Sequence, residues 1–253
     1  MAIGVIGLGT RGMAAGERLL HRTAQDLLLY DPQGRRNPGL GTLCESGAEV
    51  LDRCETVLLA LETASELCSL LGACRGFLKG GQILLSFTDT SPGLAHLLSN
   101  ALRREDTARY LDVGLLGSES LGEGSRLFVG GNGEAFSQAE PLLRCLSPHC
   151  HYVGPSGRGC AARLMGRAFC AQVQSAAQET AQLSKAFGLE TFSSDEPLWK
   201  ELLPVPLPPE DPHLAVDAAL TAEMAHRADV PAEGLFAAAK RLSQNGPFCR
   251  FPQ

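Results

Sequence analysis

The sequence predicts an α/β fold in which a doubly wound parallel sheet precedes a shortened all-α domain. Three observations support this prediction. A short apolar run at the front leads directly into a turn with three closely spaced glycines. Further apolar runs then alternate with helix-compatible segments, which is typical of a parallel sheet covered by helices. Beyond residue 155 the sequence indicates helices only, and a long helix joins the two parts, so we expect domains at 1–155 and 156–253.

Length and composition agree with a globular protein that has an ordinary core. The 253 residues are enough for one large domain or two smaller ones, and 44% are hydrophobic and 20% charged. The net charge of −6 argues against nucleic acid or an anionic membrane as the main partner. No apolar run approaches the roughly 20 residues of a membrane span, and the first strand starts too early for a signal peptide.

The cysteines favour a reducing compartment. There are nine, an odd number, and they are scattered without a CxxC pair. We therefore expect free thiols in the cytoplasm rather than disulfides. The stretch CLSPHCH, from Cys145 to His151, has the composition of a metal site but lacks a second cluster, so we expect no metal.

The first predicted unit is a strand, a glycine-rich turn, a helix and a second strand. The apolar run Ala2–Gly7 has the composition of a buried parallel strand. Gly7, Gly9 and Gly12 follow in the spacing G-x-G-x-x-G, and a helix-compatible segment leads to a second apolar run that ends at Asp31. In this pattern the first glycine permits a tight turn, the second lets the backbone approach a pyrophosphate, and the third lets helix pack on strand. The unit predicts a Rossmann domain that binds a dinucleotide at the helix N-terminus, with Asp31 on a ribose hydroxyl.

The identity of the dinucleotide stays open between NAD and NADP. Asp31 would repel a 2′-phosphate, which favours NAD. Arg35 and Arg36 follow closely, and arginine is the side chain that binds a 2′-phosphate. The two arginines could instead lie on a solvated loop, and NAD is the favoured cofactor.

The rest of the first half alternates in the same way. Strands are predicted at 56–62, 80–87, 108–116 and 126–131, and helices at 63–78 and 91–105. Ser91 and Pro92 open the second of these helices as N-cap and first-turn residue. Ligands of such sheets lie beyond the carboxyl ends of the strands, where Asp89 is also expected. The predicted cofactor-binding residues are Gly7, Leu8, Gly9, Thr10, Arg11, Gly12, Asp31, Arg35, Leu61, Glu62 and Thr88.

Four stretches, taken in order, carry a resemblance to a known family. They are GVIGLGTRGMAAGERLL, SFTDTSP, YLDVGLLGSESLGEGSRLFVGG and VGPSGRGCAARLMGRAF. Together they make the chain similar to the β-hydroxyacid dehydrogenase family, the relatives of 6-phosphogluconate dehydrogenase and the imine reductases. The resemblance covers most of residues 1 to 190. It implies an NAD(P)-dependent oxidoreductase that moves a hydride between nicotinamide and a small substrate.

Two departures from the family pattern lie in the first half. Arg11 stands in the glycine-rich turn where methionine is usual. The family's substrate-binding serine falls on Leu116, so that Leu116, Gly117 and Ser118 are the predicted substrate-binding residues. Leu116 removes the usual anchoring hydroxyl, and the sequence does not name the substrate.

Three further departures affect the predicted catalytic residues Arg163, Arg167 and Asp217. The resemblance implies a lysine that assists proton transfer, and this lysine falls on Arg163, with the family's asparagine one turn later on Arg167. Asp217 stands at the position where a helix near the C-terminus of the family's members carries lysine. Arginine is not a general acid at neutral pH because its pKa stays above about 12. Arg163 could still clamp a carboxylate or stabilise an alkoxide.

Two readings of the arginine pair remain open. Arg163 and Arg167 are four residues apart and share a helix face, which would suit an anionic substrate such as a carboxylate. They could instead extend to solvent or pair with acids across a dimer interface. Reduction of a protonated imine would need no acid, and other candidate proton donors are Tyr152, His149, His151, His213, Asp217 and His226.

The second half predicts a long helix and two shorter ones. The stretch from Cys160 has few breakers until Gly188, and roughly 30 helical residues would form a rod of about 45 Å. Residues 212–244 predict two amphipathic helices, after a proline-rich stretch. Because Met165, Phe169 and other apolar residues recur along the long helix, we expect a homodimer; a monomer is the alternative if the proline-rich stretch covers the helix.

Two functions from different classes follow. The first is an NAD(P)-dependent oxidoreductase acting on a small carbonyl, hydroxy acid or imine. The second is a non-catalytic dinucleotide-binding protein that kept the fold and lost its proton-transfer residues. A phosphotransferase is disfavoured because the glycine motif lacks the following GK[ST] of a P-loop.

Overall fold

The computed structural model describes residues 2–35, 39–188 and 213–244. By their contacts the residues fall into two compact units, Met1–Arg163 and Leu164–Gln253. Within the described ranges, none of the helices combines the length and the apolar character needed to cross a membrane.

The first unit contains one eight-stranded sheet. Its strands are β1 (Ile3–Ile6), β2 (Leu27–Tyr30), β3 (Thr42–Leu43), β4 (Thr56–Leu59), β5 (Ile83–Ser86), β6 (Arg109–Gly117), β7 (Ser125–Gly131) and β8 (His149–Gly154). They lie in the order β3-β2-β1-β4-β5-β6-β7-β8. The chain runs outward from β1 to β3 and then returns to place β4 on the other side of β1. The carboxyl ends of β1 and β4 therefore meet at the point where the winding reverses, which is where such sheets bind ligands.

Helices cover both faces of this sheet. They are α1 (Thr10–Arg22), α2 (Gly47–Arg53), α3 (Ala64–Ala73), α4 (Pro92–Arg104), α5 (Gly133–Leu146) and the start of α6 (Arg158–Ala186). The strands are buried on both sides: Val5 and Leu58 belong to the core with α1 and α5, whereas Ile6 and Leu59 belong to the core with α2, α3 and α4. This two-sided burial explains why the strands are continuous apolar runs rather than alternating ones.

The second unit is helical. The later part of α6 packs with α7 (Leu214–Arg227) and α8 (Glu233–Gln244) around small side chains such as Ala171, Ala218 and Ala239. The α6 helix ends two residues before Gly188, whose φ of +71° favours glycine. The doubly wound sheet and the helical second unit confirm the predicted fold class. The proline-rich stretch and the C-terminal residues from 245 lie outside the described residues.

The structure departs from the predicted elements in two ways. β7 pairs antiparallel with β6, although the pattern predicted a parallel sheet. Only residues 118–124 connect the two strands, and a parallel crossover needs a dozen or more residues. In addition β3, α2, α5 and β8 had not been predicted.

Candidate functional site

The glycine-rich turn runs from the end of β1 into the first turn of α1, and its three glycines have different roles. A Cβ on Gly7, whose φ is +95°, would lie 2.3 Å from the carbonyl oxygen of Ala60. A Cβ on Gly12 would lie 1.8 Å from the carbonyl oxygen of Gly7. Gly9 has an ordinary φ of −71°, and its Cβ would approach nothing closer than Arg35 Nη1 at 3.7 Å. The fold requires glycine at 7 and 12, while the open space over Gly9 fits a bound pyrophosphate.

The N-terminus of α1 also differs from those of its neighbours. Side chains of Ser46, Thr63, Ser91 and Asn132 accept hydrogen bonds from the first turns of α2, α3, α4 and α5. At α1 the N-cap is Gly9, and no side chain of the described residues caps it. The first turn of α1 also contains no acidic residue. These amides can therefore be satisfied by an anionic ligand.

Asp31, at the end of β2, ties the glycine-rich turn to the loop that follows it. Its Oδ2 accepts a hydrogen bond of 2.6 Å from Leu8 N, and its Oδ1 accepts one of 2.8 Å from Gln33 N. Burial opposes ionisation, but these backbone donors and Arg35 together lower the pKa of Asp31. The carboxylate is thus ionised and held at the predicted ribose position.

Arg35 is held between two carboxylates. Its Nη1 lies 3.3 Å from Asp31 Oδ2, and its Nη2 donates to Glu62 Oε1. The pKa of Glu62 is lowered by its bonds to Gln33 and Arg35. The positive charge of Arg35 is therefore compensated, and Arg36 lies outside the described residues.

Leu61 and Thr88 join the carboxyl ends of β4 and β5. Leu61 N donates to Thr88 Oγ1 at 3.0 Å, and both residues are buried. The side chain of Leu8 is buried as well, whereas Thr10 is exposed beside the glycine-rich turn. Leu61, Thr88 and Leu8 therefore shape the edge of the sheet, and Thr10 faces the space next to it.

Arg11 and Arg163 share one carboxylate. Arg11 Nη2 lies 2.9 Å from Asp89 Oδ2 and 2.9 Å from Glu119 Oε1, and Arg11 Nη1 donates to the Phe87 carbonyl oxygen at 3.0 Å. Arg163 Nε lies 3.2 Å from Asp89 Oδ1. We call Arg11, Asp89, Glu119 and Arg163 the Asp89 network. Burial disfavours the charge of Arg11, but Asp89 and Glu119 outweigh it and raise its pKa.

Leu116 and Gly117 end β6 at the same edge of the sheet, and Ser118 is the first residue of the loop that follows. Leu116 is half-buried, and Gly117 has a φ of +91°, with its Cβ position only 2.2 Å from the carbonyl oxygen of Gly124. Ser118 Oγ accepts a hydrogen bond from Ser120 N at 3.2 Å, which organises the loop before β7. The structure thus places the hydroxyl of Ser118 in the loop and leaves an apolar side chain at 116.

Asp112, on β6, positions the start of α6 and was missed in the sequence. Its Oδ1 accepts from Gly157 N at 2.7 Å and its Oδ2 from Cys160 N at 3.0 Å. A Cβ on Gly114 would lie 2.1 Å from the carbonyl oxygen of Gly159, so the helix start touches the strand backbone. Arg163 follows one turn after Cys160. The available signal was an acidic residue inside an apolar strand, which is rarely buried without a partner.

Arg167 and Asp217 pair with each other in the second unit. Arg167 Nε donates to Asp217 Oδ2, and Asp217 is buried. The two departures from the family pattern at these positions therefore form one ion pair. Asp217 N also donates to the carbonyl oxygen of His213 at 3.0 Å. His213 is the N-cap residue of α7, so this is the first backbone hydrogen bond of the helix.

The other candidate proton donors have structural contacts or exposed positions. Tyr152 OH donates to the Gly131 carbonyl oxygen at 2.9 Å, and His151 stacks on Phe128. His149 Nε2 lies 3.9 Å from Glu123 Oε2, and the side chain of His226 is exposed near the end of α7.

The eight cysteines within the described ranges are free thiols, and burial raises the pKa of Cys160 to about 12. No His, Cys, Asp or Glu cluster fit for a metal occurs in that part of the chain.

Comparisons with known proteins identify the family of this fold and site. Residues 2–154 match the NAD binding domain of 6-phosphogluconate dehydrogenase. L-threonate dehydrogenase of Cupriavidus necator is 26% identical over 198 residues, covering 74% of this chain and 66% of that protein. Human mitochondrial 3-hydroxyisobutyrate dehydrogenase is 23% identical over 197 residues, covering 74% of this chain and 58% of the human protein. The matched region thus spans less than two thirds of these curated relatives.

Solved structures share the fold. 3-Hydroxyisobutyrate dehydrogenase of Mycobacterium tuberculosis superposes with a TM-score of 0.80 at 19% identity, over 96% of this chain and 93% of the other. An imine reductase from Pseudomonas sp. gives a TM-score of 0.69 at 16% identity, over 96% and 93%. With a family match over more than half of its length, the chain belongs to the β-hydroxyacid dehydrogenase family and carries the family's NAD-binding domain.

Proposed function

We propose that the protein is an NAD(P)-dependent oxidoreductase that transfers a hydride between nicotinamide and a small hydroxy acid, carbonyl compound or imine. The single observation that supports it most is the α1 N-terminus, uncapped within the described residues and opening onto free space over Gly9. A helix start of this kind binds a diphosphate through backbone amides. When bound, the cofactor supplies or accepts the hydride, and the chain binds and orients it.

Different residues of the first unit would bind the diphosphate, the ribose and the substrate. The turn from Gly7 to Gly12 would hold the diphosphate, and Asp31 would fix the adenosine ribose from the end of β2. With a carbonyl substrate, Arg163 would be a fixed cation that stabilises negative charge developing on the substrate oxygen but does not deliver a proton. A carbonyl substrate would therefore take its proton from another group or from water.

For the cofactor we propose NAD rather than NADP. Arg35, the described cation near the predicted 2′ position, is already compensated by Asp31 and Glu62. One positive and two negative charges leave this corner with an excess negative charge. A 2′-phosphate would be repelled there, whereas a 2′-hydroxyl can donate to a carboxylate.

For the assembly we propose a homodimer in the cytoplasm. Met165, Phe169 and Leu183 are exposed large apolar side chains along α6. A second copy would bury them, and long helices with exposed apolar surface need such a partner. The free thiols support a reducing compartment.

The test combines cofactor binding with turnover. We expect the purified protein to bind NADH more tightly than NADPH in calorimetry. With a panel of substrates, we expect it either to consume NADH with an aldehyde or a cyclic imine or to produce NADH from NAD with a hydroxy acid. With an aldehyde or hydroxy-acid substrate, Arg163→Ala should lower kcat/KM by about 100-fold. Arg158→Ala is the matched control, because Arg158 is an exposed arginine on the same helix; it should leave kcat/KM unchanged.

The same test distinguishes the non-catalytic alternative, for which the comparisons give no support. Dinucleotide binding without turnover of any substrate in the panel would favour that alternative. Absence of dinucleotide binding would refute both functions.

A further inference from the structure

We propose that Asp89 determines the charge of the substrate: the site prefers a ligand that is positively charged beside its reacting carbon, such as a cyclic iminium ion, and disfavours a carboxylate. This inference rests on the proposed function, since it concerns the substrate of the same site. It follows from the charges, the burial and the position of the Asp89 network.

The charges of the network cancel before any substrate arrives. Asp89 uses one oxygen for each arginine, with Oδ2 on Arg11 at 2.9 Å and Oδ1 on Arg163 at 3.2 Å. Glu119 provides a second carboxylate beside the positive charge of Arg11. Among the described residues, two arginines of the network therefore face two carboxylates. A substrate carboxylate approaching Arg163 would have to displace Asp89 or lie beside it, and either is unfavourable.

The acidic members of the network are the more exposed ones. The side chains of Asp89 and Glu119 are 39% and 52% exposed, whereas those of Arg11 and Arg163 are 23% and 8% exposed. An incoming ligand thus meets carboxylate oxygens before it meets a guanidinium group. These oxygens attract a cation and repel an anion, more strongly where solvent is partly excluded.

The network lies where the substrate of the proposed reaction is expected. Arg11 lies in the first turn of α1, between Gly9 and Gly12 in the sequence, and Asp89 follows β5 at the carboxyl edge of the sheet. Arg163 occupies the position on which the family's catalytic lysine falls. Arg167, the second cation once expected to bind a carboxylate, is compensated by Asp217.

An iminium substrate also suits a site whose central cation does not give up a proton. The hydride forms the new C–H bond, and the π pair of the C=N bond becomes the lone pair of a neutral amine. The dihydronicotinamide is oxidised, and no proton is consumed. Arg163 is therefore not required to act as an acid in this reaction.

The test measures binding of two ligands that cannot accept a hydride, piperidinium and isobutyrate, by calorimetry on the protein mixed with NADH. We expect the wild-type protein to bind piperidinium more tightly than isobutyrate. Asp89→Asn should weaken piperidinium binding at least about tenfold and strengthen isobutyrate binding. Asp89→Glu, which keeps the charge, should retain the preference. Asp26→Asn, at an exposed aspartate, is the control and should change neither affinity.

Preference of the wild-type protein for isobutyrate, binding of neither ligand, or piperidinium binding that is unchanged in Asp89→Asn would each overturn the inference. The NADH titration in the same samples reports separately on the proposed function. Normal NADH binding with the wrong ligand preference refutes only the role of Asp89, and absent NADH binding refutes the proposed function.

Discussion

At the scale of single residues, Gly9 separates the needs of the ligand from those of the fold. Alanine at Gly9 meets no steric conflict within the protein and has an allowed φ. We expect Gly9→Ala to keep or slightly raise the melting temperature, since such changes stabilise by up to about 1 kcal/mol. The same methyl group would occupy the predicted diphosphate position and lower NADH affinity at least about tenfold in calorimetry.

Gly12→Ala is the contrasting variant. Its methyl group would lie 1.8 Å from a backbone oxygen, so it should lower the melting temperature as well as NADH affinity. An equal loss of stability in both variants would contradict the distinction between the two glycines.

Asp31 should make stability depend on pH in a defined range. Its folded-state pKa is lowered, so its contribution is complete above the unfolded pKa of about 3.9 and is lost as pH falls through the folded pKa. We expect Asp31→Asn to cost about 2 kcal/mol at pH 7 in urea unfolding without cofactor. That difference from wild type should shrink below about pH 4. Asp26→Asn, at an exposed aspartate, is the control variant. A difference between Asp31→Asn and wild type that does not shrink as the pH falls below about 4 would contradict the prediction.

At the scale of elements, the Arg167–Asp217 pair links α6 to α7 and should act as one unit. Removing one partner leaves the other charge partly buried, which costs about 3 kcal/mol. We therefore expect Arg167→Ala and Asp217→Ala each to destabilise by about that amount, and the double variant to cost far less than their sum. Denaturant unfolding of the four proteins gives the coupling energy, and additive losses would show that the pair is not coupled.

The same scale shows which elements can be predicted from local sequence. β1, β2, β4, β5 and β6 are apolar runs ended by turn residues, and they were predicted because both of their faces are buried. α5 was missed because Pro141 lies inside it, and proline normally ends a helix. β3 has two residues and α2 seven, too few for a periodic signal. β8 contains His149, Cys150 and His151, and it was missed because it is not the apolar run by which the other strands were predicted.

The residues of the candidate site also separate into those that local sequence predicts and those that it does not. The glycines and Asp31 are readable because their spacing is local. The pairs Arg11–Asp89 and Arg167–Asp217 join residues 78 and 50 positions apart, and no local pattern encodes such contacts. Their formation changes the interpretation of both arginines on α6 from cations facing a ligand to partners of carboxylates.

At the scale of the whole molecule, the exposed apolar residues of α6 bear on assembly. We expect sedimentation velocity to give twice the chain mass of 26.8 kDa for the wild-type protein. Phe169→Glu should shift it to the monomer, because a buried unpaired charge is costly in an interface. Leu97→Glu, at an exposed leucine of α4, should remain dimeric. A wild-type monomer at all concentrations would refute the homodimer.

The N-terminus of α1, for which the described residues provide no side-chain cap, has a consequence beyond the proposed reaction. Under the proposed function, its first-turn amides would donate to the diphosphate of a bound dinucleotide, and the nucleotide would complete this turn as a structural part. By mass action, a hundredfold excess of ligand over its dissociation constant adds about 2.7 kcal/mol to the folded state. The lifetime of this protein in a cell would then follow the supply of pyridine nucleotides, and starvation for them would expose it to proteolysis.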